Sequence, residues 1–197
     1  MASVKEIVQK VETKEGTTFV FRGLLTSEDF KNKELLAVLQ QFGFNPEQFE
    51  AMMMRTYANW SGDEIRTAYP PDNPVEDLVI RSSSTSDGKS IEVTEVKVHA
   101  HHTMKTRLEG RPGAIGFEAT YMLTGEMTYS MLDEYTPVAA GVYVGSEKET
   151  KITLHSGDLL ILPRKVARQI VHVGDQAEYT YISGPWTEDD LPIDIMR

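Results

Sequence analysis

The sequence predicts a mainly β protein, a sandwich or barrel of short strands preceded by a helical extension, and three observations carry that prediction. From Ser90 onward apolar residues recur with a period of two. Turn signals interrupt that stretch at short spacing: Gly110-Arg111-Pro112-Gly113, Ser146-Glu147, Ser156-Gly157, Pro163-Arg164-Lys165 and Gly174-Asp175. Before Trp60, by contrast, the apolar period is mainly helical.

Taken in order, Thr17 to Arg22 is β-branched and aromatic, the composition of a strand. Asp29 to Phe42 sets Leu35, Leu36, Val38, Leu39 and Phe42 at helical spacing, and Gly43 ends that helix. Asn45-Pro46-Glu47 starts a second helix: Asn caps the free amides, Pro tolerates the first position and Glu complements the dipole. Phe49, Met52, Met53 and Tyr57 follow on one face, so the Met52-Met53-Met54 run reads as helix packed on a barrel before it reads as an adaptable ligand lining. Three prolines in Tyr69 to Pro74 exclude helix and central strand and mark a boundary. The expected organisation is a mainly helical segment, 1–74, packed on a barrel, 75–197. Within the barrel, strands are expected at about 90–103, 117–132, 137–144, 148–155, 158–163, 166–173 and 177–184.

The 197 residues suit one domain, or a domain with an appendage. The absence of cysteine excludes disulfides, thiolate metal sites and thiol nucleophiles. A formal charge of −10 with no Lys/Arg cluster disfavours nucleic acid and anionic membrane as partners. The first ten residues carry charges every few positions, with no apolar leader and no span-length apolar run anywhere. The expectation is a cytoplasmic protein whose partner is a small organic molecule. No Gly-x-Ser-x-Gly, P-loop or His-Glu-x-x-His pattern occurs.

Two blocks carry a more specific signal. Glu118 is followed by Gly125 at a tight strand turn, and Gly157-Asp158 opens an apolar run that ends at Pro163. In that order, inside an all-β stretch, they resemble the two motifs of the cupin superfamily over roughly half the chain. The resemblance implies a double-stranded jelly-roll barrel with the N-terminal helical extension outside it. It also implies an interior that holds a ligand or a metal, and commonly a homodimer. In metal-dependent cupins two His and the Glu of the first motif, with a His of the second, bind one divalent ion, for which Fe, Mn, Ni or Zn is the chemistry of that donor set. Here the His-x-His pair, His99 and His101, lies far upstream of Glu118, and Arg168 stands where the second-motif His belongs.

Strand alternation sets the alternatives. His99 and His101 share a face with Val93, Glu95 and Lys97, whereas His102 shares one with Val96 and Val98. If the apolar face is the interior, His102 points inward; if the polar face lines a wet cavity, His99 and His101 do. Glu118 shares a face with Thr120 and Met122, and Arg168 with Ile170 and His172, so an interior Glu118 opposite Arg168 makes an ion pair. Three readings follow. One is a metal site from His99, His101, Glu118 and His172. The second is a metal-free site in which Glu118 accepts a proton while Arg168 or His172 stabilises developing charge. The third is a structural salt bridge with unrelated histidines. Met122, Tyr121, Tyr179, Tyr181 and His102 are the expected ligand contacts, with Phe117, Tyr129 and Tyr143 as further aromatic walls.

A fainter likeness runs through Leu162-Pro163-Arg164, Val166-Ala167-Arg168-Gln169 and Gly184-Pro185-Trp186, which is similar to the cupin barrel of the sterol C8-isomerase and sigma-receptor family. That family also has a basic residue at the second-motif His position, which implies a metal-free barrel for an apolar ligand. The expected function is a small-molecule enzyme working by acid–base chemistry of the isomerase, cyclase or lyase type, with one divalent metal or none, or else a metal-dependent oxygenase. The alternative is a non-catalytic small-molecule-binding cupin.

Overall fold

The computed structural model describes residues 8–56, 62–84, 90–100, 109–110, 116–140, 142–186 and 193–196. In chain order the elements are β1 (Val8–Thr13), β2 (Gly16–Phe21), α1 (Lys33–Gln41), α2 (Pro46–Met53), β3 (Asp63–Ala68), β4 (Val75–Ser84) and β5 (Ser90–Val98). There follow β6 (Glu109–Gly110), β7 (Phe117–Thr124), β8 (Glu126–Leu132), β9 (Tyr135–Ala139), β10 (Val142–Gly145) and β11 (Glu149–His155). The last four are β12 (Leu159–Pro163), β13 (Arg168–Val173), β14 (Glu178–Trp186) and β15 (Ile193–Met196).

The strands form two sheets, one in the order β1-β2-β12-β7-β14-β5-β4-β3 and the other β11-β8-β13-β6-β15-β10-β9. Within them β5-β14-β7-β12 and β6-β13-β8-β11 are the two halves of a jelly roll. The first and last of these eight strands are neighbours, and the connections cross between sheets as in two Greek keys. β1 and β2 extend the first sheet at one edge, β4 and β3 at the other.

A single expected strand over 117–132 is in fact two strands, β7 in the first sheet and β8 in the second, broken at Gly125, whose φ of +78° is one that L side chains rarely adopt. The expected strand at 137–144 is likewise the pair β9 and β10. The first zone holds less helix than expected. Before Trp60 it carries β1 and β2 beside two short helices, because Thr17 to Phe21 pairs with β1 on one side and β12 on the other. Beyond it, β3 and β4 pair across Tyr69 to Pro74, so the proline-rich segment is the connection of a hairpin.

The first sheet is apolar on both faces. Its inner face meets the second sheet through Val20, Val96, Met122, Leu160, Leu162 and Tyr179, which pack with Met127, Tyr129 and Met131. Its outer face, with Phe21, Val93, Phe117, Ala119, Ile161 and Ile182, is covered by Leu35 and Leu39 of α1 and Phe49 and Met53 of α2. Phe117 is the hub there, with ring centroids 4.8 Å from Phe42, 5.5 Å from Phe44 and 6.3 Å from Phe49. Burying each such side chain contributes roughly 1.5–3 kcal/mol.

The second helix starts where the sequence says, whereas the first starts at Lys33 and not at Asp29, because Asp29–Lys31 forms a separate 3-10 turn and Asn32 supplies the cap. The Asn32 carboxamide oxygen accepts from the Glu34 and Leu35 amides at 2.9 and 3.2 Å, and Asn45 caps Glu47 and Gln48 at 3.0 and 3.1 Å. Beyond α2, Arg55 donates to the Tyr179 carbonyl (2.8 Å) and Thr180 Oγ1 (3.1 Å) and pairs with Glu178, fixing the helical layer to β14. Among the described residues no helix is long and apolar enough to cross a membrane.

Candidate functional site

Glu118 lies on β7 of the first sheet, in register with Leu162 of β12 and Ser183 of β14. Arg168 opens β13 of the second sheet, in register with Met131 and Glu109. Alternation turns both side chains into the space between the sheets, where they meet. Arg168 Nε donates to Glu118 Oε2 at 2.8 Å and Nη2 donates to Oε1, a two-pronged pair between residues that are 5% and 3% exposed. Nη1 also reaches the Arg164 carbonyl at 3.4 Å.

The pair forms one wall of a cavity of about 330 Å³, at the small end of the range for ligand pockets. Leu78 on β4, Val96 on β5 and Ile170 on β13 supply its apolar surface; Thr94 and Gln169 add polar edges. Tyr129, Tyr179 and Tyr181 complete the wall. Tyr179 stands opposite Val96 and Met122, and Tyr181 opposite Thr94 and Thr120, so the wall is built by register across β5, β14 and β7. The Tyr129 hydroxyl shares a hydrogen bond of 2.7 Å with Thr120 Oγ1. Burial pushes the phenols of Tyr129 and Tyr181 well above their ordinary range; the charge of Glu118 adds to this and that of Arg168 opposes it. Burial alone pushes Tyr179 up to about 12. At neutral pH these phenols are hydrogen-bond donors, not anions.

The carboxylate at the first-motif position faces the guanidinium at the second, inside a double-stranded jelly roll. The fold is a cupin-like jelly roll. The second motif's other residues are structural: Asp158 accepts from Arg22 Nη1 (2.6 Å), the Gly23 amide (3.1 Å) and the His155 amide (2.9 Å), tying β2 to the β11–β12 turn.

The remaining expected site residues are placed as follows. Met122 faces inward but is packed in the core without lining the cavity. Tyr121 is not at the cavity: it points to the opposite face of β7, where its hydroxyl donates to the Leu24 carbonyl (2.5 Å) and its ring meets Phe30 edge-on at 5.6 Å. His172 does not share the interior face with Arg168. The pairing of β13 with β8 shifts between Ile170 and His172, one extra residue reverses the alternation, and His172 faces outward to Glu126 at 3.2 Å. Val96 and Val98 face the interior, so the apolar face of β5 is the inner one. His99 lies just past the strand end, its amide donating to the Pro74 carbonyl at 3.1 Å, and does not line the cavity. His101 and His102 lie outside the described residues. Phe117 is in the helical layer, and Tyr143 stacks edge-on with Tyr135 elsewhere. Leu78, Thr94, Val96, Gln169 and Ile170 are the cavity residues that were not among the expected contacts. Thr94 is legible from the alternation of Val96, whereas Leu78 sits on a strand that was not foreseen.

The residues at the cupin metal position do not fit a divalent ion. Both Glu118 oxygens accept from Arg168, whose guanidinium has no lone pair and puts a positive charge where an ion would sit. Among the described residues no group of three or more His, Asp or Glu is placed to hold a metal.

No protein-family model and no curated protein sequence matches this chain. Among solved structures it is similar to an oxalate decarboxylase from Lactobacillus farciminis in a formate complex (13% identity, TM-score 0.40, 66% of this chain and 33% of that one). It is also similar to an oxalate oxidase (15%, 0.40, 65% and 59%) and to the capsular polysaccharide assembling protein CapF from Staphylococcus aureus (12%, 0.43, 70% and 34%). The chain thus spans between a third and three-fifths of the length of these structures.

Proposed function

We propose that the barrel cavity is the active site of a small-molecule enzyme that works by proton transfer, of the isomerase, cyclase or lyase type. The observation that carries this reading is the buried Glu118–Arg168 pair set into the wall of a largely apolar cavity. A carboxylate offers about four lone-pair sites, and Arg168 occupies two, so Glu118 retains capacity to accept a proton from a bound molecule. Arg168 stays beside it and stabilises negative charge as it develops on a substrate oxygen. The neutral phenols of Tyr129 and Tyr181 are further donors to such an oxygen. A bound molecule that fills the cavity displaces its water, which strengthens each of these interactions.

A non-catalytic binding barrel is the second reading. It is favoured by the same pair seen as a clasp, since a two-pronged bond from one sheet to the other is also a means of holding the barrel shut. Proton transfer separates the two. The cavity is roughly twice the ~150 Å³ space that takes benzene, so a two-ring enolisable ketone is a suitable probe. Hydrogen–deuterium exchange at the acetyl group of 2-acetylnaphthalene in D2O is expected to be faster with the protein than with its Glu118→Gln variant. Binding of the ketone with no acceleration over buffer overturns the enzyme reading in favour of the binding one.

A further inference from the structure

We infer that the ligand of this barrel is an uncharged, largely apolar molecule that presents a carbonyl or ether oxygen to the hydroxyl of Tyr179, an inference that rests on the small-molecule reading above. Tyr179 is only 7% exposed and lines the cavity. Its backbone carbonyl is engaged by Arg55, but among the described residues its hydroxyl has no hydrogen-bond partner. The other buried phenols contrast with it. Tyr121 donates to the Leu24 carbonyl, Tyr129 bonds with Thr120 and Tyr135 donates to the Lys165 carbonyl at 2.7 Å. Buried polar groups are as a rule satisfied, and one left open toward a cavity is a place where a ligand completes the bonding.

The charge of the ligand follows from the wall. Glu118 and Arg168 cancel one another, the phenols are neutral, and Leu78, Val96 and Ile170 supply hydrocarbon. An ion entering this space would lose its hydration with no unpaired counter-charge to replace it. A neutral molecule with one oxygen acceptor satisfies Tyr179 at no such cost.

The test compares 2-acetylnaphthalene with 2-ethylnaphthalene, which has nearly the same shape and lacks the oxygen, by calorimetric titration of the whole protein. One hydrogen bond is worth roughly a threefold to tenfold preference for the ketone. Tyr179→Phe is expected to erase that preference, and Tyr121→Phe to keep it. The carbonyl stretch of the bound ketone is expected to move to lower frequency in the unaltered protein and to return in Tyr179→Phe. Equal affinity for the two probes overturns the inference and leaves the cavity as a binding site. A preference that persists in Tyr179→Phe overturns it by placing the oxygen elsewhere. Binding of neither probe overturns the small-molecule reading itself, and this inference with it.

Discussion

Arg168 and Glu118 face each other from opposite sheets, and the guanidinium spans both carboxylate oxygens. Each residue is nearly inaccessible to water, so each charge depends on the other for solvation. Removing one partner leaves the other buried and unpaired. Arg168→Met is expected to cost about 3–5 kcal/mol in denaturant unfolding, and Glu118→Leu combined with Arg168→Met to recover most of that loss. If the single variant unfolds at the unaltered midpoint, the pair is not desolvated as described.

Tyr121 and Tyr179 lie on opposite faces of the same sheet, and their hydroxyls have opposite roles. Tyr121→Phe removes a bond to the Leu24 carbonyl inside the helical layer and is expected to cost about 1 kcal/mol of stability without changing ligand affinity. Loss of ligand binding in Tyr121→Phe, measured with the naphthalene probes, would return that side chain to the site.

Gly125 allows β7 to turn into β8. A Cβ there would lie 2.7 Å from the Ala177 Cα, and the φ of +78° adds backbone strain. Gly125→Ala is expected to destabilise by at least about 2 kcal/mol, read from the urea midpoint. An unchanged midpoint would mean that this turn is not formed.

Stability is expected to fall in alkali over a defined window. Burial raises the phenol pKa of Tyr179 to about 12 and moves Tyr121, Tyr129, Tyr135 and Tyr181 upward as well. Below about pH 10, the ordinary value, these phenols are neutral in both folded and unfolded chains and contribute no pH dependence. Above it the unfolded chain loses protons first, so the folded state is progressively disfavoured, and for Tyr179 that loss ends near pH 12, where its folded phenol also ionises. Unfolding midpoints that stay level across this window, or phenolate absorbance that appears in full near pH 10, would contradict the burial of these rings.

The frame of the barrel was legible in the sequence because its signals are local. Gly125 and Gly157 both need positive φ, and Glu118 and Arg168 face inward by simple alternation from apolar neighbours. What was not legible depends on the third dimension. The extra residue between Ile170 and His172 leaves no mark in composition, yet it turns His172 outward. Tyr121 was misplaced because α1 and α2 make the outer face of its sheet as apolar as the inner one, so aromatic character no longer identifies the interior. β3 reads Asp63-Glu64-Ile65-Arg66-Thr67-Ala68, an exposed edge whose pairing with β4 has no hydrophobic alternation to announce it, and Leu78 was missed with it.

The central claim is that the space beside Glu118 and Arg168 admits a small organic molecule. Ile170 lines that space and is only partly buried, so Ile170→Trp fills it from the wall. Calorimetric titration of 2-acetylnaphthalene into the unaltered protein and into Ile170→Trp is the direct measurement. Saturable one-to-one binding that is lost in the filled variant, with an unchanged far-ultraviolet dichroism spectrum, is the predicted result. Equal binding by a folded Ile170→Trp protein, or no binding by the unaltered one, would contradict it.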